Sequence, residues 1–157
     1  MIALRYLMQL KQAHQLIGIE THPAPDSLLE VLRKLFPKWK YTMDFALSVP
    51  SFRQDIIIGS SNGGYLEDAM SIESDLKSAP ATAFVPVGVL RSGGMTAIDT
   101  RGDIPMEFGV FPFGASCVSN WGQLKASDFV SMGISYYDWL TKLHECSFPE
   151  LSHMGLL

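Results

Sequence analysis

Apolar residues recur at helical spacing along the first third of the chain and alternate at strand spacing from about residue 84. Residues 2–17 place Leu4, Leu7, Met8, Leu10 and Leu16 near that helical interval, with Arg5, Lys11 and Gln12 between them, and Gly18 follows as a stop. Pro23-Ala24-Pro25-Asp26-Ser27 then supplies a rigid start with a capping residue. Leu28, Leu29, Val31, Leu32, Leu35 and Phe36 predict a second helix, which Pro37 ends. A third helix is expected to begin at Pro50-Ser51-Phe52-Arg53, because a proline lacks nothing needed in a first turn. Ile56-Ile57-Ile58 is so short a run that a buried strand is the competing assignment. Asn62-Gly63-Gly64 tolerates positive φ and is expected to turn the chain sharply.

Phe84–Leu90 reads as a strand with Pro86 at an edge or a bulge. Arg91-Ser92-Gly93-Gly94 is a hairpin signal, and Met95–Asp99 returns as the partner. After a turn at Arg101-Gly102-Asp103, Met106–Val110 alternates as a third strand. Tyr136, Trp139, Leu140 and Leu143 share one helical face, and Ser135 with Asp138 resembles a capping box. The expected class is α+β: an antiparallel meander with N-terminal helices and a C-terminal helix packed on it. No repeat or linker divides the chain, so residues 1–157 are read as one domain, with residues 1–45 as a helical extension.

Composition narrows the choice. With 47% hydrophobic and 18% charged residues, the chain has material for a core and is not of disordered type. No apolar run approaches the roughly 20 residues of a membrane helix, and the first residues do not read as a signal peptide. The expectation is a cytoplasmic protein with no membrane partner. Cys117 and Cys146 fit no zinc spacing and read as reduced thiols, a disulfide between them being the alternative. Through Arg53 the chain carries seven cations against four anions, 7 − 4 = +3, so with a total of −4 the remainder carries −7. That acidic remainder repels phosphate and suits a basic protein surface, which makes nucleic acid a poor partner.

Chemistry-bearing residues are sparse. Of His14, His22, His144 and His153, no pair has the spacing of a helical metal site, and His144 and Cys146 would point to different helix faces. No metal, cofactor or catalytic residue is therefore expected. Gly59–Gly64 lacks the lysine of a phosphate-binding loop and reads as a turn. Glu67, Asp68, Glu73 and Asp75 form an acidic segment. It is either a solvated loop or a set of carboxylates that mimics phosphate in a partner's basic cleft. Asp99, Asp103 and Glu107 lie around the meander turns and extend the same surface. Trp121, in a polar stretch, and Tyr137, off the apolar face of the last helix, are candidate aromatic anchors.

The order of motifs adds a family. An apolar segment from Val49-Pro50-Ser51-Phe52 leads to Asn62-Gly63-Gly64. Pro86-Val87-Gly88 follows in a strand, then Ser92-Gly93-Gly94, then Ala97-Ile98-Asp99, then Ile104-Pro105-Met106, and last Ser135-Tyr136-Tyr137-Asp138-Trp139-Leu140. This order resembles the SUKH superfamily of bacterial immunity proteins and their fungal regulatory relatives, in which the Asn-Gly-Gly closes a helix. The first 45 residues lie outside the pattern. The resemblance implies an immunity protein that binds and neutralises a cognate polymorphic toxin, such as a nuclease with a basic surface, by occluding its active site. It implies no catalytic residues and no cofactor. A regulatory scaffold domain of the same fold is the alternative reading, and a small cysteine- or histidine-dependent enzyme is the third.

Overall fold

The computed structural model describes residues 10–58, 62–78, 83–90, 94–111 and 126–145. The helical spacing of the first third becomes α1 (residues 10–16) and α2 (Asp26–Leu35). Gly18 has φ +77°, the left-handed region in which helices commonly stop. The two-residue strand β1 (Thr21–His22) pairs with β2 (Val49–Pro50), and the short helix α3 (Thr42–Ala46) lies on the return path. Pro25 stands at the N-cap of α2 without a side-chain hydrogen bond, so the expected capping residue does not cap. Asp26 instead occupies the first turn, where the helix dipole favours an anion.

The expected third helix is a strand. Gln54–Ile58 forms β3, paired residue by residue with β4 (Asn62–Leu66). Three β-branched side chains in succession lose little in a strand and crowd a helix. Asn62, Gly63 and Gly64 are accordingly ladder residues opposite Ile58, Ile57 and Ile56, not a turn. The acidic segment is no loop either: Ala69–Ser78 is α4, with Ala69, Ile72 and Leu76 buried along one face.

The meander is present in the expected order as β5 (Phe84–Leu90), β6 (Met95–Asp99) and β7 (Glu107–Phe111). The β5–β6 register shifts between Pro86 and Gly88, the bulge the proline calls for. A side chain at Gly88 would collide with the Tyr65 carbonyl and the Thr96 hydroxyl, so glycine lets β4 and β6 close in. Then β8 (Val130–Ser135) adds beside β7 and α5 (Tyr136–Glu145) closes the described chain. The Asp138 N–H donates to Ser135 Oγ at 3.1 Å, the cap its spacing predicts. The result is a six-stranded antiparallel sheet in the order β3-β4-β5-β6-β7-β8.

Alternation gives the sheet two apolar faces. Val85, Val87, Ile98, Phe108 and Val110 share one core with Leu10, Leu28, Leu32, Trp39 and Phe45 of the N-terminal segments and Trp139 of α5. The first helices are thus core elements rather than an appendage. Phe84, Met95, Ala97 and Phe111 form a smaller cluster with Phe129 on the opposite face. Phe108 and Trp139 stack with ring centres 4.1 Å apart. At the centre His14 is fully buried. Its Nδ1–H donates to the Leu10 carbonyl at 3.0 Å, and Tyr136 O–H donates to its Nε2 at 3.1 Å, which ties α1 to α5. Burial holds the His14 imidazole neutral, with its pKa lowered to about 4. Among the described residues no helix is long and apolar enough to cross a membrane.

Candidate functional site

The strand register collects residues that are far apart in sequence. Leu66 pairs with Gln54 and Gly88, Phe84 with Asp99, Asp99 with Glu107, and Glu107 with Ser135. The start of β3, the end of β4, the start of β5, the end of β6 and the start of β7 therefore lie at one end of the sheet. Glu67, Asp99, Asp103 and Glu107 gather at that end, in two groups.

The first group occupies the corner where β4 passes into α4. The Glu67 N–H donates to the Val87 carbonyl at 2.9 Å, which carries the strand direction one residue past β4 and turns the side chain inward to 5% exposure. Its carboxyl meets that of Asp75 from α4 in a hydrogen bond. Glu67 Oε2 and Asp75 Oδ2 find no N–H or side-chain O–H donor among the described residues, so the contact needs a shared proton. Burial, and then the Asp75 charge, push the Glu67 pKa up to about 9. At neutral pH Glu67 is therefore the protonated partner that donates to Asp75. Burial raises Asp75 as well, and the hydrogen bond from Glu67 pulls it back.

Arg53 closes the corner from the β3 side. Its guanidinium lies 3.9 Å from the centre of the Tyr65 ring, and its charge partly offsets the cost of ionising Glu67. Burial and the nearby Glu67 raise the Tyr65 hydroxyl pKa. Phe52, beside Arg53, is 51% exposed, and Met70, in the first turn of α4, is 81% exposed. Asp68 caps α4, accepting from the Ser71 N–H at 2.9 Å. Glu73 accepts from Ser27 Oγ at 2.6 Å and from Lys77 Nζ at 2.9 Å, bonds that hold its carboxyl below the usual range. The acidic segment thus presents much less free charge than its sequence suggests. One carboxyl is buried and neutral, one half-buried, one caps a helix and one is paired.

The second group surrounds the turn after β6. Asp99 is nearly buried and accepts from Arg101 three times: from its backbone N–H at 2.8 Å, from Nε–H at 3.1 Å and from Nη2–H at 3.3 Å. The Arg101 guanidinium also lies 4.9 Å from the centre of the Phe84 ring. Glu107 reaches back over Gly102, where a side chain would strike its carboxylate, and Asp103 is exposed. Beside this group a groove of about 440 Å³ runs between residues 35–39 and Ala83, Thr100 and Arg101. The sequence reading passed over this groove. Its signal was Arg33, Lys34, Lys38 and Lys40, with no acid between them and Phe36 and Trp39 interleaved.

The remaining candidates are dispersed. Tyr137 is half-buried and packs against the main core rather than standing free as an anchor. Trp121, Cys117, Cys146 and His153 lie outside the described residues. Among the described residues no group of three or more His, Cys, Asp or Glu is placed to hold a metal ion. What the β4–α4 corner offers is the exposed Phe52 and Met70 and the stacked Arg53. No protein-family profile, curated protein or solved structure matches this chain.

Proposed function

We propose that this chain acts by binding another protein at the β4–α4 corner. In the form favoured by its motif order, it is an immunity protein that covers the active site or substrate cleft of a toxin. The observation that carries the reading is the exposure of Phe52, next in sequence to the Arg53 that stacks on Tyr65, and of Met70 in the first turn of α4. Large apolar side chains and arginines on a preorganised support are the usual composition of an interface hot spot. The carboxylates of Asp68 and Asp103 at the same end leave the surface a modest negative potential, which suits a basic partner and speeds its approach.

The family component rests on strands β5 to β7 and the closing helix. The Asn62-Gly63-Gly64 motif lies in a strand here and does not close a helix. The test is a pull-down of the tagged protein with the product of the adjacent gene, followed by co-expression for rescue of growth. The expected result is a one-to-one complex that rescues growth and that Phe52→Ala with Met70→Ala weakens at least about tenfold. Binding without rescue favours the regulatory scaffold reading. A folded protein that binds nothing at this corner removes both.

A further inference from the structure

We propose that the groove beside the second group is a docking site for an acidic, extended protein segment in which a carboxylate neighbours a large apolar side chain. This inference does not rest on the toxin-binding reading, because it concerns different residues and a partner surface of opposite charge. The volume of about 440 Å³ falls within the roughly 300–1,000 Å³ usual for binding clefts. Leu35, Phe36, Pro37 and Trp39 supply an apolar wall for a side chain, while Lys38 supplies a cation.

Both walls are braced before any ligand arrives. Thr100 Oγ1 and the Thr100 N–H both donate to the Ala83 carbonyl, at 2.7 and 3.1 Å. The Trp39 carbonyl accepts from Thr42 Oγ1 at 2.8 Å, and the Trp39 ring packs between Phe36 and Phe45. A preformed cleft spends less of its binding energy on ordering.

Charge identifies the occupant. The chain carries −4 overall, yet Lys38 lines the groove and the exposed Arg33, Lys34 and Lys40 fall within the same eight residues, Arg33 reaching Met43 and Lys40 lying over Tyr41. None has a carboxylate within ion-pair distance among the described residues. Asp99 takes the Nε–H and one Nη2–H of Arg101 and fixes the guanidinium plane. Asp99 and the nearby Glu107 thus already balance the Arg101 charge, which leaves Lys38 as the lining cation with no ion pair among the described residues. A nucleic acid strand would bring closely spaced phosphates against Asp99, Asp103 and Glu107 at the same sheet end. A peptide can set a single carboxylate at Lys38 and an apolar side chain against Leu35, Phe36 and Trp39.

The test is fluorescence anisotropy with a short labelled peptide of alternating Glu and Leu. A peptide of alternating Lys and Leu and a single-stranded oligonucleotide serve as comparison probes. Saturable binding of the Glu-Leu peptide is expected, weakening with salt and dropping about tenfold in Lys38→Glu. Lys38 is exposed, so this variant should keep the wild-type melting temperature, and Lys11→Glu on α1 should leave binding unchanged. The proposal is overturned if the Glu-Leu peptide does not bind the folded protein, if Lys38→Glu binds it equally well, or if the oligonucleotide displaces it at lower concentration.

Discussion

His14 and Tyr136 meet in the core with both ring nitrogens and the hydroxyl hydrogen bonded, whereas Glu67 and Asp75 meet at the β4–α4 corner with an oxygen each that only a shared proton can satisfy. The first pair is neutral in both members and spans the molecule from α1 to α5, so it acts as a staple. The second is a carboxylic acid held against a carboxylate, with Arg53 compensating in part. Burial is similar at His14 and Glu67; what differs is the supply of donors. A satisfied buried pair specifies packing, while a half-satisfied one leaves a site whose charge depends on its surroundings. Phe52 and Met70 stand exposed on the segments that lead to that pair, Phe52 next to Arg53 and Met70 on α4 with Asp75.

The largest effect should come from breaking the staple. Tyr136→Ala removes the hydroxyl from His14 and a ring stacked on Phe108 and Trp139, and should cost about 3–5 kcal/mol in urea unfolding. Tyr136→Phe keeps the ring and strands only His14 Nε2, so about 1–3 kcal/mol is expected. Equal losses in the two variants would mean the ring contributes nothing beyond its hydroxyl.

The two pairs should also bend the pH profile in opposite directions. His14 titrates near 4 when folded, against an ordinary 6.5, so the unfolded chain takes up the proton first and stability falls as pH drops below about 6.5. Glu67 titrates near 9 when folded, against an ordinary 4.5, so the folded state keeps a proton that the unfolded chain releases, and stability falls as pH rises above about 4.5. Asp44, raised by burial, acts in the same direction as Glu67. Between about 4.5 and 6.5 the His14 and Glu67 slopes oppose each other, which predicts a plateau there and a decline toward pH 9. Glu67→Gln should flatten that decline and exceed the wild type by about 1–2 kcal/mol at pH 8, measured by melts across the range. A wild-type profile that rises from pH 6.5 to 9 would contradict the shared proton.

Smaller effects separate surface from core. Phe52→Ala and Met70→Ala should change stability by less than about 0.5 kcal/mol while weakening partner binding, which calorimetric titration would resolve. Glu73→Ala, which loses only the exposed contacts to Lys77 and Ser27, should cost less than about 1 kcal/mol by urea midpoint.

The parts of the fold legible in sequence were those with a long or doubly signalled pattern. The α2 stripe, the β5–β7 meander with its Pro86 bulge and the Ser135 cap of α5 all follow from local spacing. The Ile56-Ile57-Ile58 run was too short to separate strand from helix, and the positive-φ tolerance of Asn62-Gly63-Gly64 carried no information about the ladder it joins. In α4 the charges of Glu73 and Asp75 masked the spacing of Ala69, Ile72 and Leu76, which was the available signal.

The sequence by itself determined which side chains carry charge, which stretches are apolar and how often each recurs, because propensity and periodicity are local properties of the chain. Only the tertiary structure decided that Glu67 is a neutral acid set against Asp75. Desolvation and the approach of another charge depend on strands that meet through the sheet register. The same holds for the basic run of residues 33–40: its cations are written in the sequence, but the groove at Lys38 exists only where Ala83 and the turn after β6 close against residues 35–39.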